Sequence, residues 1–139
     1  MICKNLNELF SRLEQDVNEI LNEEVAEAVK EELSESVKTA VYDVYSPLYY
    51  KRREYDFGLI DQRNMKHEVE NNTLTVTNET PLDNGLNYPY SLTEIIVNGY
   101  GNQPCKRDFI EDCKERLEEN KSHIVALKAG MRKRGYDIK

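Results

Sequence analysis

"LNELFSRLEQDVNEILNEEVAEAVKEELSESVKTAVYDVY", residues 6–45, decides the fold, because it runs forty positions without a glycine or a proline. Leucine, glutamate, lysine and alanine dominate it, and these residues lose little conformational freedom in a helix. Two apolar ladders cross the stretch: Leu6, Phe10, Leu13, Val17 and Ile20, then Val29, Leu33, Val37, Ala40 and Val44. Each keeps the three- and four-residue steps of one helix face. At about 100° per residue, however, the two ladders fall on roughly opposite sides of a straight helix. The continuation of the first meets Glu24, Glu27 and Glu31. Either the helix breaks between Asn22 and Ala28, or its halves serve different partners. Unbroken, it would span about 60 Å, against a radius of gyration of about 14 Å for a compact chain of this length. Such a helix projects, and a projecting apolar stripe calls for a second copy or an assembly partner to cover it.

Past this helix, Ser46-Pro47 forces the chain out of helical geometry. "MKHEVENNTLTVTNE" reads as a hairpin, Met65 to Glu70 and Thr73 to Asn78, turned by Asn71-Asn72. Leu74 and Val76 face one way while Thr73, Thr75 and Thr77 face the other. After the turn-rich "PLDNGLNYPY", the Ser91-Leu92-Thr93-Glu94 spacing predicts a capped short helix stopped by Gly99. Asp108 and Glu111 open the last helical pattern, in which Phe109, Cys113, Leu117, Ile124, Leu127 and Met131 keep helical spacing across a polar gap at Asn120 and Lys121. Lys128, Arg132, Lys133 and Arg134 sit where a helix dipole favours cations. The expected fold is α+β: a long N-terminal helix, a small antiparallel sheet, a short helix and a long C-terminal helix. With 139 residues the chain suits a single domain. Its parts are a helix over 1–45, projecting or kinked, a loop over 46–64, the hairpin and short helix over 65–101, and the C-terminal helix over 104–135.

Composition narrows the function classes. The net charge is −7, and it is segregated: residues 1–36 hold ten acids against three bases, residues 106–139 seven against ten. Such a chain lacks the coherent positive face that duplex binding needs, while unlike ends of neighbouring copies attract. No apolar run reaches the ~20 residues of a membrane span, and the N-terminus lacks a signal peptide's apolar block, which predicts a cytoplasmic protein without a membrane partner. In that setting the Asn-x-Ser/Thr sequons at Asn71, Asn78 and Asn120 stay unused. Cys3, Cys105 and Cys113 match neither a disulfide framework nor a zinc spacing and read as reduced thiols. His67 and His123 belong to no metal motif, no phosphate loop or nucleophile elbow occurs, and the paired glutamates suit wet helix faces. No cofactor, metal site or catalytic residue is expected, and an enzyme is the third choice of function.

The segment "YSPLYYKRREYDFGLID", residues 45–61, is the exception, with four tyrosines, a phenylalanine and three consecutive cations in an acidic chain. Tyrosine with arginine can stack on single-stranded bases, but Glu54 and Asp56 leave the stretch nearly neutral. The same residue types anchor protein interfaces, and a loop whose apolar members cap the core is the plain alternative. The preferred reading is a protein interface formed by Tyr49, Tyr50, Arg52, Arg53 and Phe57. A nucleic-acid-binding or regulatory protein using Lys51, Arg52 and Arg53 is the runner-up, without sequence-specific recognition.

The order of elements resembles the small neck proteins of long-tailed bacteriophages, the head-tail joining or tail-completion proteins. The corresponding stretches are "VYDVYSPLYYKRREYDFGLID", "NTLTVTNET", "LTEIIVNGYG" and "QPCKRDFIEDCKERLEENKSHIVALKAGMRKRG", together covering Val41 to Gly135. Where those proteins often carry an Arg-Pro-Phe turn, this chain has Arg107-Asp108-Phe109. The resemblance implies a virion protein of the neck, present in the bacterial host cytoplasm during assembly, with no reaction to catalyse. It also implies a ring of copies, hexameric or dodecameric, touching other neck, portal-adaptor or tail proteins.

Overall fold

The computed structural model describes residues 3–44, 51–82, 91–99 and 107–139. Its first element is one unbroken helical rod. Helix α1 (Leu6–Ile20) leads through a π-helical segment (Leu21–Val25) into α2 (Ala26–Val37), and a second π-helical segment (Lys38–Tyr42) ends it. Asn5 caps the start, its side chain accepting the Glu8 N–H at 2.9 Å. At the far end the Asp43 N–H donates across five residues to the Lys38 carbonyl at 2.8 Å.

The π-helical segment at Leu21–Val25 resolves the conflict between the two ladders. A π-turn takes up one extra residue, which rotates everything after it by about 100°. The ladders, about 180° apart on a regular helix, are left roughly 80° apart, within one broad apolar side. Thus Ile20 is followed inward by Val25, five positions on, and then by Leu33, Val37 and Val41, all buried. The helix neither breaks nor points its second half away from the first. Its stripe is covered by its own chain over most of its length, which corrects the inference that a continuous helix must project. The exceptions are the first turn and a half, where Leu6 is 67% and Phe10 59% exposed, and the last member of the second ladder, Val44, which is 66% exposed just past the rod.

Strands β1 (Met65–Glu70) and β2 (Thr73–Asn78) pair antiparallel, from Met65 opposite Asn78 to Glu70 opposite Thr73. Asn71 and Asn72 take φ of 51° and 60°, the left-handed pair that a two-residue hairpin turn requires. The threonines are exposed, while Leu74 and Val76 reach two different apolar clusters, so the hairpin straddles both. Helix α3 (Leu92–Asn98) starts at Ser91, whose side chain accepts the Glu94 N–H, and stops at Gly99 with φ 69°. Helix α4 (Phe109–Asn120) opens on Asp108, which caps Glu111 at 3.0 Å without the proline of the phage neck pattern.

The long C-terminal helical segment bends at the polar gap seen in the sequence. Lys121 lies in the left-handed region (φ 54°), closing α4 through its N–H to the Leu117 carbonyl at 2.9 Å and starting α5 (Ser122–Lys133). The bend lets α4 pack on α2 and α5 pack on α1 and the first π-turn. The larger cluster joins Leu33, Val37 and Val41 to Leu59, Ile60, Met65, Ile96, Phe109 and Cys113. The smaller joins Ile20, Val25 and Met131, with Leu13, Val17, Leu127 and Tyr136 at its edge. Gly130 permits this second contact: a Cβ there would meet Ile20 Cγ2 at 2.6 Å.

Segregated charge is partly answered inside the chain. The Arg134 guanidinium lies 3.1 Å from Glu24, 3.6 Å from Glu23 and 3.9 Å from Glu19, and the Tyr136 hydroxyl donates to Asp16 at 2.7 Å. The acidic head and the basic tail therefore meet within one molecule.

Candidate protein-interaction surface

Residues 51–64 lie against the rod, where Ser34 donates to the Ile60 carbonyl at 3.2 Å, as a knot of short-range bonds. The Asp56 N–H donates to the Arg53 carbonyl at 2.8 Å, Gly58 to Glu54 at 2.9 Å, Asp61 to Gly58 at 3.1 Å and Asn64 to Asp61 at 3.0 Å. Glu54 and Phe57 adopt positive φ, 48° and 59°, so the turns carry strain that the surrounding bonds must hold. Gly58 has no room for a side chain, since a Cβ would lie 2.5 Å from the Glu54 backbone. Leu59 and Ile60, next in line, enter the larger core. The loop is thus pinned at its base and wet at its rim.

Asp61 organises the knot. Its buried carboxylate accepts the Phe57 N–H at 2.8 Å and the Arg63 N–H at 2.9 Å, and pairs with the Arg63 guanidinium at 2.6 Å. These bonds, that from the Arg63 side chain foremost, hold its pKa down to about 2 against the cost of burial. The Arg63 guanidinium also donates to the Tyr55 carbonyl at 3.1 Å and stacks 3.6 Å from the Phe57 ring centroid. Behind the loop, Asn78 donates to the Leu59 carbonyl at 2.9 Å and accepts from the Thr80 and Thr93 hydroxyls, tying loop, β2 and α3 together. All three of these polar residues are buried and satisfied, as buried polar groups must be.

Of the residues expected at an interface, Tyr49 and Tyr50 lie outside the described residues. Arg52 donates to the Tyr42 carbonyl at 3.1 Å and lies over the Tyr42 ring at 4.7 Å. Arg53 donates to the Pro81 carbonyl at 2.7 Å. Both cations therefore fasten the loop, one to the end of the rod and the other to the exit of the hairpin. Phe57 is 39% exposed beneath Arg63, and Tyr55, which the sequence reading passed over, is 70% exposed. Asp61, Arg63 and Asn78 were missed as well. Asp61 before "QRN" carries a signal, since aspartate is a preferred cap for the turn that follows, here a 3-10 turn at Gln62–Asn64. Asn78 carries none, because its partners are fixed only by the tertiary fold.

Beside the loop, an open groove is lined by Glu31, Glu32, Ser34 and Glu35 of the rod and by Tyr55, Ile60 and Gln62. The histidines stay apart, His67 with its Nδ1 2.7 Å from Lys30 Nζ. Burial, with Lys66 nearby, holds the Lys30 ammonium below the usual lysine range. Burial pushes the Cys113 thiol up to about 11. Among the described residues no three histidines, cysteines or carboxylates are placed to hold a metal ion, and no helix is long and apolar enough to cross a membrane.

No curated protein and no solved structure matches the chain. A family model described as YomN matches residues 5–133, from the cap of the rod to the end of α5. That family bears a phage-derived Bacillus gene name, which associates the protein with phage. Spanning every element from the capped rod to the bent C-terminal helices, the match shows that the chain belongs to the YomN family.

Proposed function

We propose that this protein is a structural component of the phage neck, joining head and tail by ring assembly and protein contacts. The observation that carries this reading is the 51–64 loop, whose base is locked by Asp61, Asn64 and Asn78 while Tyr55 and Phe57 stay at the surface. A rigid loop presenting aromatic rings loses little entropy on docking, and rings of this kind anchor interfaces. Phage association through the family and the neck-protein order of elements support the same reading. The cationic run argues less for nucleic acid than its sequence does, because Arg52 and Arg53 are bound to backbone carbonyls of their own chain.

Deleting the gene from its phage and imaging the particles tests the proposal. Separate filled heads and finished tails, joined again when the protein is supplied, are the expected result. In the same assay Tyr55→Ala should keep the wild-type melting temperature and lower the yield of joined particles. Joined, infectious particles formed in the protein's absence would overturn the neck assignment.

A further inference from the structure

We infer that the open groove between α2 and the 51–64 loop is the seat for the outward face of α5 from a second copy. This inference rests on the ring-assembly reading above and names the two surfaces that make the contact. One wall of the groove is acidic. Glu31 and Glu35 line it, Glu27 stands one turn earlier, and all three are exposed at four-residue spacing on α2. Like charges so placed repel one another. Neither Glu27 nor Glu31 forms an ion pair with a described residue. The opposite wall is the exposed ring of Tyr55, whose face attracts ammonium and alkyl groups alike.

The complementary surface is on the same chain but elsewhere. Lys121, the residue before α5, stands four positions before Val125 and Lys128 three after it, and Val125 is 62% exposed. Neither lysine forms an ion pair with a described residue. At 1.5 Å per residue the two lysines are about 10 Å apart along the helix, and Glu27 and Glu35 about 12 Å apart. Both ammonium groups can therefore meet carboxylates while Val125 reaches the Tyr55 ring. A chain cannot fill its own groove this way, because the junction of its α4 and α5 is already held beside α2 by Asn120 donating to Glu32, and its α5 then runs on to place Gly130 against Ile20 and Arg134 beside Glu24. The contact joins unlike surfaces, so repetition closes into a ring or extends as a filament.

Sedimentation velocity over a concentration series, at low and high salt, tests the pairing with two charge-reversed proteins. One carries Glu31→Lys with Glu35→Lys, the other Lys121→Glu with Lys128→Glu. Wild type should self-associate, less so in high salt, and each double variant should sediment as a monomer. Mixing the two should restore association in which the variants alternate, since native meets native and reversed meets reversed surface across the mixture, and a chain carrying all four changes should regain self-association. Circular dichroism melts establish that the variants are folded, and Glu31→Gln with Glu35→Gln replaces the first should it unfold. A monomeric wild type, association indifferent to either reversal, or a mixture that stays monomeric would overturn the inference. Self-association governed by these residues, in a protein without which heads and tails still join, would instead overturn the neck reading and leave the groove standing.

Discussion

The rod enters two cores of unequal construction. Its second half, from Leu33 to Val41, is enclosed by the loop, the hairpin, α3 and α4, and Phe109 at the centre of that cluster is fully buried. Its first half meets α5 with the tail behind it and one edge of the hairpin through Leu74, and the cluster there has only Ile20, Val25 and Met131 as buried members. Where apolar cover is thin, polar ties appear: Arg134 bridges to Glu19, Glu23 and Glu24, and Tyr136 to Asp16. One end of this helix is held by area and the other by close fit and charge. The two ends should therefore respond to different perturbations.

The largest effect is expected in the richer core. Phe109→Ala should cost about 3–5 kcal/mol in urea unfolding, because a fully buried ring leaves a cavity enclosed on every side. In the thinner core the sensitive position is a fit rather than a ring. Gly130→Ala drives a methyl into Ile20 and should cost about 1–3 kcal/mol, with α5 amides losing hydrogen-exchange protection before those of α4. Equal loss of protection in both helices would show that the two cores unfold as one unit.

Acid separates the loop from both cores. The folded pKa of Asp61 is depressed to about 2, so its contribution is fully present above the unfolded aspartate value of 3.8 and is lost as pH falls through about 2. Stability should therefore decline across that window in wild type and decline less in Asp61→Asn, which starts lower at neutral pH. The smallest effect belongs to the charged seam. Arg134→Ala should cost no more than about 1 kcal/mol, because its glutamate partners are partly wet, and added salt should shrink even that.

Much of this architecture was legible in the residues. The hairpin bounds, the Asn71-Asn72 turn, the Ser91 and Asp108 caps and the Gly99 stop follow from local chemistry that acts within a few positions. The bend at Lys121 lies at the polar gap between Leu117 and Ile124, where the apolar spacing pauses. The π-turn was visible only as a contradiction between two ladders, since sequence periodicity assumes a constant 3.6 residues per turn and does not say how a mismatch is absorbed. The loop was legible as aromatic and cationic, but not in its wiring. Whether Arg52 reaches solvent or the Tyr42 carbonyl depends on where the end of the rod lies, which is a tertiary fact.

A single extra residue in the Leu21–Val25 turn brings both ladders to one side of the rod. Deleting Asn22, exposed within that turn, should turn it into a regular α-helix and leave both cores in register. Deleting Glu31, exposed within α2, should rotate one set of apolar residues out of its core by about 100°, whichever side of the deletion yields. The direct measurement is urea unfolding of the two deletion proteins beside wild type, with the packing of Phe109 and Met131 followed by side-chain NMR. The expected result is a ΔAsn22 protein with near wild-type stability and native signals from both cores, and a ΔGlu31 protein that has lost one of them. A ΔAsn22 protein as damaged as ΔGlu31 would contradict the claim.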